Sequence, residues 1–122
     1  MLTPVFHPLW PLVIVAGALI SAAGLADDRE QDFESKIRPL LHLRCIECHG
    51  PNKQQGDVRL DVRHVVLGRK EGEGLVIPGR PDDSRLIQVI RYSGDDVQMP
   101  PKGKLPAEEI ELLTEWVRRG AA

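Results

Sequence analysis

Cys45-Ile46-Glu47-Cys48-His49 decides the reading of this chain. The spacing is C-x-x-C-H, the pattern of c-type haem attachment. Two thiols three positions apart can form thioethers with the two vinyl groups of one porphyrin. The histidine that follows then falls under the iron and offers a neutral imidazole as axial ligand. Three other readings of the pair compete. An ordinary disulfide suits an oxidising compartment. A thioredoxin-like redox pair wants a βαβ setting, and nothing here reads as a parallel sheet. A zinc site wants four ligands, and Cys45 and Cys48 are the only cysteines in the chain. His42 and His64 are the only further imidazoles beyond residue 26.

The flanks on the N-terminal side favour haem. Residues 1–26 hold no Lys, Arg, Asp or Glu. An apolar run, Leu12-Val13-Ile14-Val15-Ala16-Gly17-Ala18-Leu19, is followed by small residues and then by Asp27-Asp28. This is the layout of a signal peptide cut after Ala26, with Ala23 as the second choice. Only the α-amine of Met1 and His7 stand in for a basic n-region. The alternative is an uncleaved membrane anchor, but Pro11, Gly17, Ser21 and Gly24 interrupt it. Either way residues 27–122 are expected outside the cytoplasm, in the periplasm or an equivalent space, where haem c is attached. A membrane partner follows only if the leader is retained.

Composition narrows the classes further. The chain has 122 residues, which suits one domain beyond the leader. With 16 basic against 18 acidic side chains it is no polycationic nucleic-acid binder and no acidic tail protein. Hydrophobic residues at 42% and charged residues at 28% exclude wholesale disorder. Aromatics are only 4%, so the core must be aliphatic or take bulk from a cofactor.

Helical periodicity appears three times. Over 32–43, Phe33, Ile37, Leu40 and Leu41 share one face, with Asp32 as N-cap and Pro39 as an internal bend. Over 81–92, Leu86, Ile87, Val89 and Ile90 form the buried face, and Asp82 or Asp83 caps it. Over 106–119, Ile110, Leu113, Trp116 and Val117 face inward. Pro106 belongs to the first turn, and Gly120 stops the helix. A shorter helix is expected over 61–67, capped by Asp61 and ended by Gly68, although 57–63 also alternates like a strand. Residues 68–74 read as a charged, glycine-rich loop.

The second iron ligand is sought in the loop after 81–92. Met99 is the only methionine beyond the leader, and it stands in Val97-Gln98-Met99-Pro100-Pro101. A thioether before two rigid prolines is well placed to sit over one face of a flat cofactor. The competing reading is a gap-filling core methionine. His64 is the rival ligand, and His42 reads as a surface or packing residue.

The ordered motifs resemble the planctomycete-type cytochrome c domain. They are Phe33-Glu34-Ser35-Lys36-Ile37-Arg38-Pro39-Leu40-Leu41, Cys45 to Gly50, and Gly56-Asp57-Val58-Arg59-Leu60-Asp61. After them come Pro78-Gly79-Arg80-Pro81 with Ser84 and Leu86, Met99-Pro100-Pro101-Lys102-Gly103-Lys104-Leu105, and Glu109-Ile110 through Trp116 to Gly120-Ala121. The resemblance spans about 32–122. It implies an all-α, cytochrome c-like fold around one covalent haem, with His49 proximal and Met99 distal. Where the family would have a Ser or Thr cap, this chain has Pro106. Such domains usually stand at the front of longer exported proteins, so the sequence reads either as the N-terminal part of one or as a free-standing cytochrome.

The expected function is one-electron transfer to and from an unidentified redox protein, not enzymatic turnover. An iron held by His49 and Met99 has no open position for a substrate. Arg59, Arg80 and Arg91 are candidates for the propionates. Lys102 and Lys104 are candidates for steering an acidic partner, against the simpler reading of a solvated loop. Two other functions stay open: a haem-based sensor with a displaceable Met99, and an electron-accepting module of a larger exported enzyme.

Overall fold

The computed structural model describes Gly17 and residues 22–70, 72–94 and 97–122. Most of the expected leader, 1–26, lies outside the described residues, and its last positions enter the first helix. Among the described residues the chain is helical and contains no strand. These residues form five α-helices: α1 (Ala22–Asp32), α2 (Arg38–Arg44), α3 (Arg63–Leu67), α4 (Arg85–Ile90) and α5 (Ala107–Arg118). No helix among the described residues is long and apolar enough to cross a membrane.

The first helix differs from expectation in two ways. It begins ten residues earlier, at Ala22, so Asp32 lies in helical conformation (φ −61°, ψ −42°) and caps nothing. Its carboxylate instead accepts from Lys36 at 2.8 Å and from Arg119 at 3.1 Å. Those two cations, Lys36 foremost, hold the Asp32 carboxyl below the usual carboxylate range. The second difference lies at Pro39. α1 passes into α2 through a π-helical turn, Phe33–Ile37, in which the Arg38 N–H bonds to Phe33 O. A proline ring would strike the carbonyl four residues back, here Ser35. The wide turn just before it relieves that clash, so the helix continues where a break would otherwise fall.

This long N-terminal segment lies along α5. Asp32 meets Arg119, the Phe33 and Trp116 rings are 5.7 Å apart, and Arg44 forks onto Glu109 at 2.9 and 3.0 Å. The three pairs run in opposite order along the two segments. Between and below them sits an aliphatic core. Ile87, Ile90, Leu113, Val76 and Val117 are its largest fully buried apolar side chains, and Ile37, Leu40, Leu41 and Leu60 complete its near side. Phe33 and Trp116 pack on its margin.

The remaining caps are also backbone affairs. α3 forms as expected, but Val62 precedes it and Asp61 is held by Arg59 at 2.5 and 2.9 Å. Pro106 stands one position before α5 in extended conformation, with no side-chain cap. Its carbonyl accepts the N–H groups of Glu109 and Ile110, a role that needs no N–H of its own. Gly120, at φ 105°, ends α5 as expected.

The single helix expected over 81–92 is broken. A 3-10 turn, Pro81–Asp83, is separated from α4 by Ser84, which is extended (φ −85°, ψ 119°) and fully buried. Asp82 and Asp83 cap nothing and pair with Arg91 and Arg80 instead. The Ser84 hydroxyl accepts the Ile77 N–H at 2.8 Å and donates to Arg80 O at 2.8 Å. Removing a buried hydroxyl strands both partners, at a cost of about 2 kcal/mol. Ser84→Ala is therefore expected to lower the unfolding free energy of the protein by about that amount in a denaturant titration. A change within error would mean that water replaces the hydroxyl.

Candidate functional site

The attachment motif forms one further turn at the end of α2. Leu41 O accepts the N–H groups of Cys45 and Ile46 at 2.9 and 3.0 Å, and Cys45 O accepts those of Cys48 and His49 at 3.2 and 3.0 Å. The two thiols therefore stand at either end of one hydrogen-bonded turn. They are not joined in a disulfide. Both are half-buried, and burial pushes the Cys45 thiol up to about 11, against the pull of the neighbouring Arg44 charge. Cys45 thus keeps its proton at neutral pH. Among the described residues no three His, Cys, Asp or Glu side chains cluster as metal ligands.

The chain then folds back to hold the histidine. Gln55 N–H bonds to Cys48 O at 3.0 Å, Leu60 N–H bonds to His49 O at 2.8 Å, and His49 and Gln54 form an isolated antiparallel bridge. This places Val58 O 3.3 Å from His49 Nδ1. A carbonyl only accepts, so Nδ1 carries the proton in this contact and Nε2 presents its lone pair. The ring is thereby oriented and set in the tautomer that a ligand needs.

Two participants in this geometry were not assigned roles by motif spacing. Gly50 is one. A Cβ there would lie 2.5 Å from Ile46 O and 2.7 Å from its Cγ2, so the fold-back after His49 tolerates no side chain. The signal was present as a glycine directly after the motif. Val58 is the other, and it acts through a backbone carbonyl, which leaves no mark on sequence.

Met99 belongs to a different segment. Its N–H donates to Val89 O at 3.0 Å, at the end of α4, and the Met99–Pro100 peptide is cis. Its half-buried side chain packs on the same hydrophobic core as Cys45, Ile46 and Val58. His64 and His42 are both exposed. The three arginines considered for propionates are each engaged with a carboxylate: Arg59 with Asp61, Arg80 with Asp83, and Arg91 with Asp82. Lys102 and Lys104 are exposed, and the Lys104 ammonium lies 5.9 Å from the centre of the Tyr92 ring.

A cleft of about 580 Å³ opens between the N-terminal segment and α3, lined by Phe33, Arg38, Leu41, Ile46, Leu60 and Trp116 among others. Cys45, Cys48, His49 and Met99 do not line it. The chemistry of the site is therefore carried by its donor set. Two free thiols on one hydrogen-bonded turn, an imidazole with Nδ1 engaged and Nε2 available, and a half-buried thioether fit the demands of haem c.

Residues 45–103 match the family model of planctomycete cytochrome C. The matched stretch contains both thiols, His49 and Met99. No curated protein and no solved structure matches the chain.

Proposed function

We propose, from the match of residues 45–103 to the planctomycete cytochrome C family model, that this chain is an exported, one-electron carrier with a single covalent haem c. When bound, that group supplies an iron that gains and gives up one electron. Cys45 and Cys48 would hold it through thioethers, and His49 Nε2 and the Met99 thioether would be the axial ligands. The observation that carries the reading is the hydrogen-bonded turn over Cys45, Cys48 and His49, with His49 Nδ1 directed at Val58 O. That contact fixes the imidazole plane and its tautomer, so ligation costs little reorganisation in either redox state. Pro100 restricts Met99 toward extended backbone, which limits the ordering cost on the other face.

Electron exchange would take place with another redox protein in the exported compartment. The leader supports that location, and the mature chain would begin at Asp27. The test is a spectroscopic redox titration of the haem-loaded protein. A single Nernst curve with a slope of about 59 mV per decade is expected. A transition with half that slope, or carbon monoxide binding by the reduced wild type at neutral pH, would overturn the electron-carrier reading.

A further inference from the structure

α4 ends in a way that its sequence does not call for. Arg91 closes the helix, and Ser93 N–H reaches back to Gln88 O at 3.3 Å. The residue between them must then turn into the left-handed region, a place that glycine ordinarily fills. Here it is Tyr92, at φ 58°. A bulky side chain in that conformation is uncommon and asks for a compensating interaction. The tyrosine hydroxyl provides one by donating to Pro100 O.

That carbonyl belongs to the residue directly after Met99. Pro100 and Pro101 have no N–H, so the loop can be anchored here only through carbonyls and the Met99 N–H. The Met99 N–H is taken by Val89 O at 3.0 Å, and Pro100 O by Tyr92, with Gly103 N–H more distant at 3.4 Å. Two bonds to the end of α4 thus bracket Met99, one through its own N–H and one through the next carbonyl.

We propose that Tyr92 is a positioning residue for Met99, its hydroxyl strapping the Met99-Pro100-Pro101 loop so that the thioether stays on the iron. This rests on the reading of Met99 as axial ligand. The strap acts on the equilibrium between a loop held in place and a loop swung away. An added ligand binds only the second form, so its apparent affinity is lowered by the rarity of that form. Loss of one neutral hydrogen bond makes the swung-away form about fivefold more populated.

The experiment titrates imidazole into the ferric, haem-loaded protein and three variants. Tyr92→Phe keeps the ring and removes the hydroxyl. Lys104→Gln removes the ammonium above the ring. Ile90→Val loosens the core beside the loop without touching the strap. Tyr92→Phe is expected to bind imidazole about fivefold more tightly, while Lys104→Gln and Ile90→Val match the wild type. Unchanged imidazole affinity in Tyr92→Phe would overturn the role of Tyr92. So would an equal gain in Ile90→Val, which would mark general loosening. In either case a wild type that keeps its weak red absorption band leaves Met99 standing as ligand. A wild type without that band would remove the Met99 reading, and the strap with it.

Discussion

Met99→Ala is expected to remove the weak absorption band at the red end of the ferric spectrum, to open the iron to carbon monoxide and cyanide, and to lower the reduction potential. Each change follows from loss of one thioether. The band marks sulfur on ferric iron, so it disappears with the sulfur. Carbon monoxide binding goes from none to one per chain because alanine cannot reach the sixth position. The potential falls because a thioether favours the reduced metal relative to water or a second imidazole. His64→Ala is the control and changes none of the three, since His64 is exposed on α3. If the wild type lacks the band and His64→Ala alters the spectrum, the ligand is His64, and a low-potential bis-histidine site replaces the one argued for.

Cys45→Ser combined with Cys48→Ser is expected to leave a chain that neither retains haem through acid acetone nor unfolds cooperatively. The reason lies in what fills the interior. Among the described residues the largest fully buried side chains are aliphatic or hydroxylic, and Phe33, Tyr92 and Trp116 are only partly buried. Cys45, Ile46, Val58, Val97 and Met99 all pack on the core while remaining half exposed. A flat apolar cofactor would cover such groups, at about 25 cal/mol for each Å² of apolar surface removed from water. Without it, a domain this small has little surplus over its conformational entropy. Circular dichroism of the double variant should show weak helicity and no sharp thermal transition. A fully helical, cooperatively melting variant would mean that the aliphatic core alone suffices.

The parts of the fold legible in sequence were those written as periodic apolar faces. Leu86, Ile87, Val89 and Ile90 are all buried, as are Ile37, Leu40, Leu41, Leu113 and Val117. The ends of helices were not legible. α1 starts early because Ala22, Ala23, Leu25, Ala26, Arg29, Glu30 and Gln31 are good helix formers with no apolar stripe to announce them. Asp32, Asp61, Asp82 and Asp83 all read as caps, yet each carboxylate found a cation with which to pair. Ser84 breaks a periodic stretch because its hydroxyl serves Ile77 and Arg80, partners that only the folded chain brings near. At the site, side chains were legible and backbone was not. Cys45, Cys48, His49 and Met99 stand out by type and spacing, whereas the carbonyls of Val58 and Pro100 act without any residue-specific signature.

The central claim is that one haem is bound through both Cys45 and Cys48. The pyridine haemochrome spectrum of the denatured, reduced protein, made in a host that matures haem c, tests it most directly. The position of its main visible band reports how many vinyl groups have become thioethers. The band is expected at the position of haem with both vinyls saturated, at one haem per chain. A band at the position of unmodified haem, or no haem on the purified chain, would contradict it.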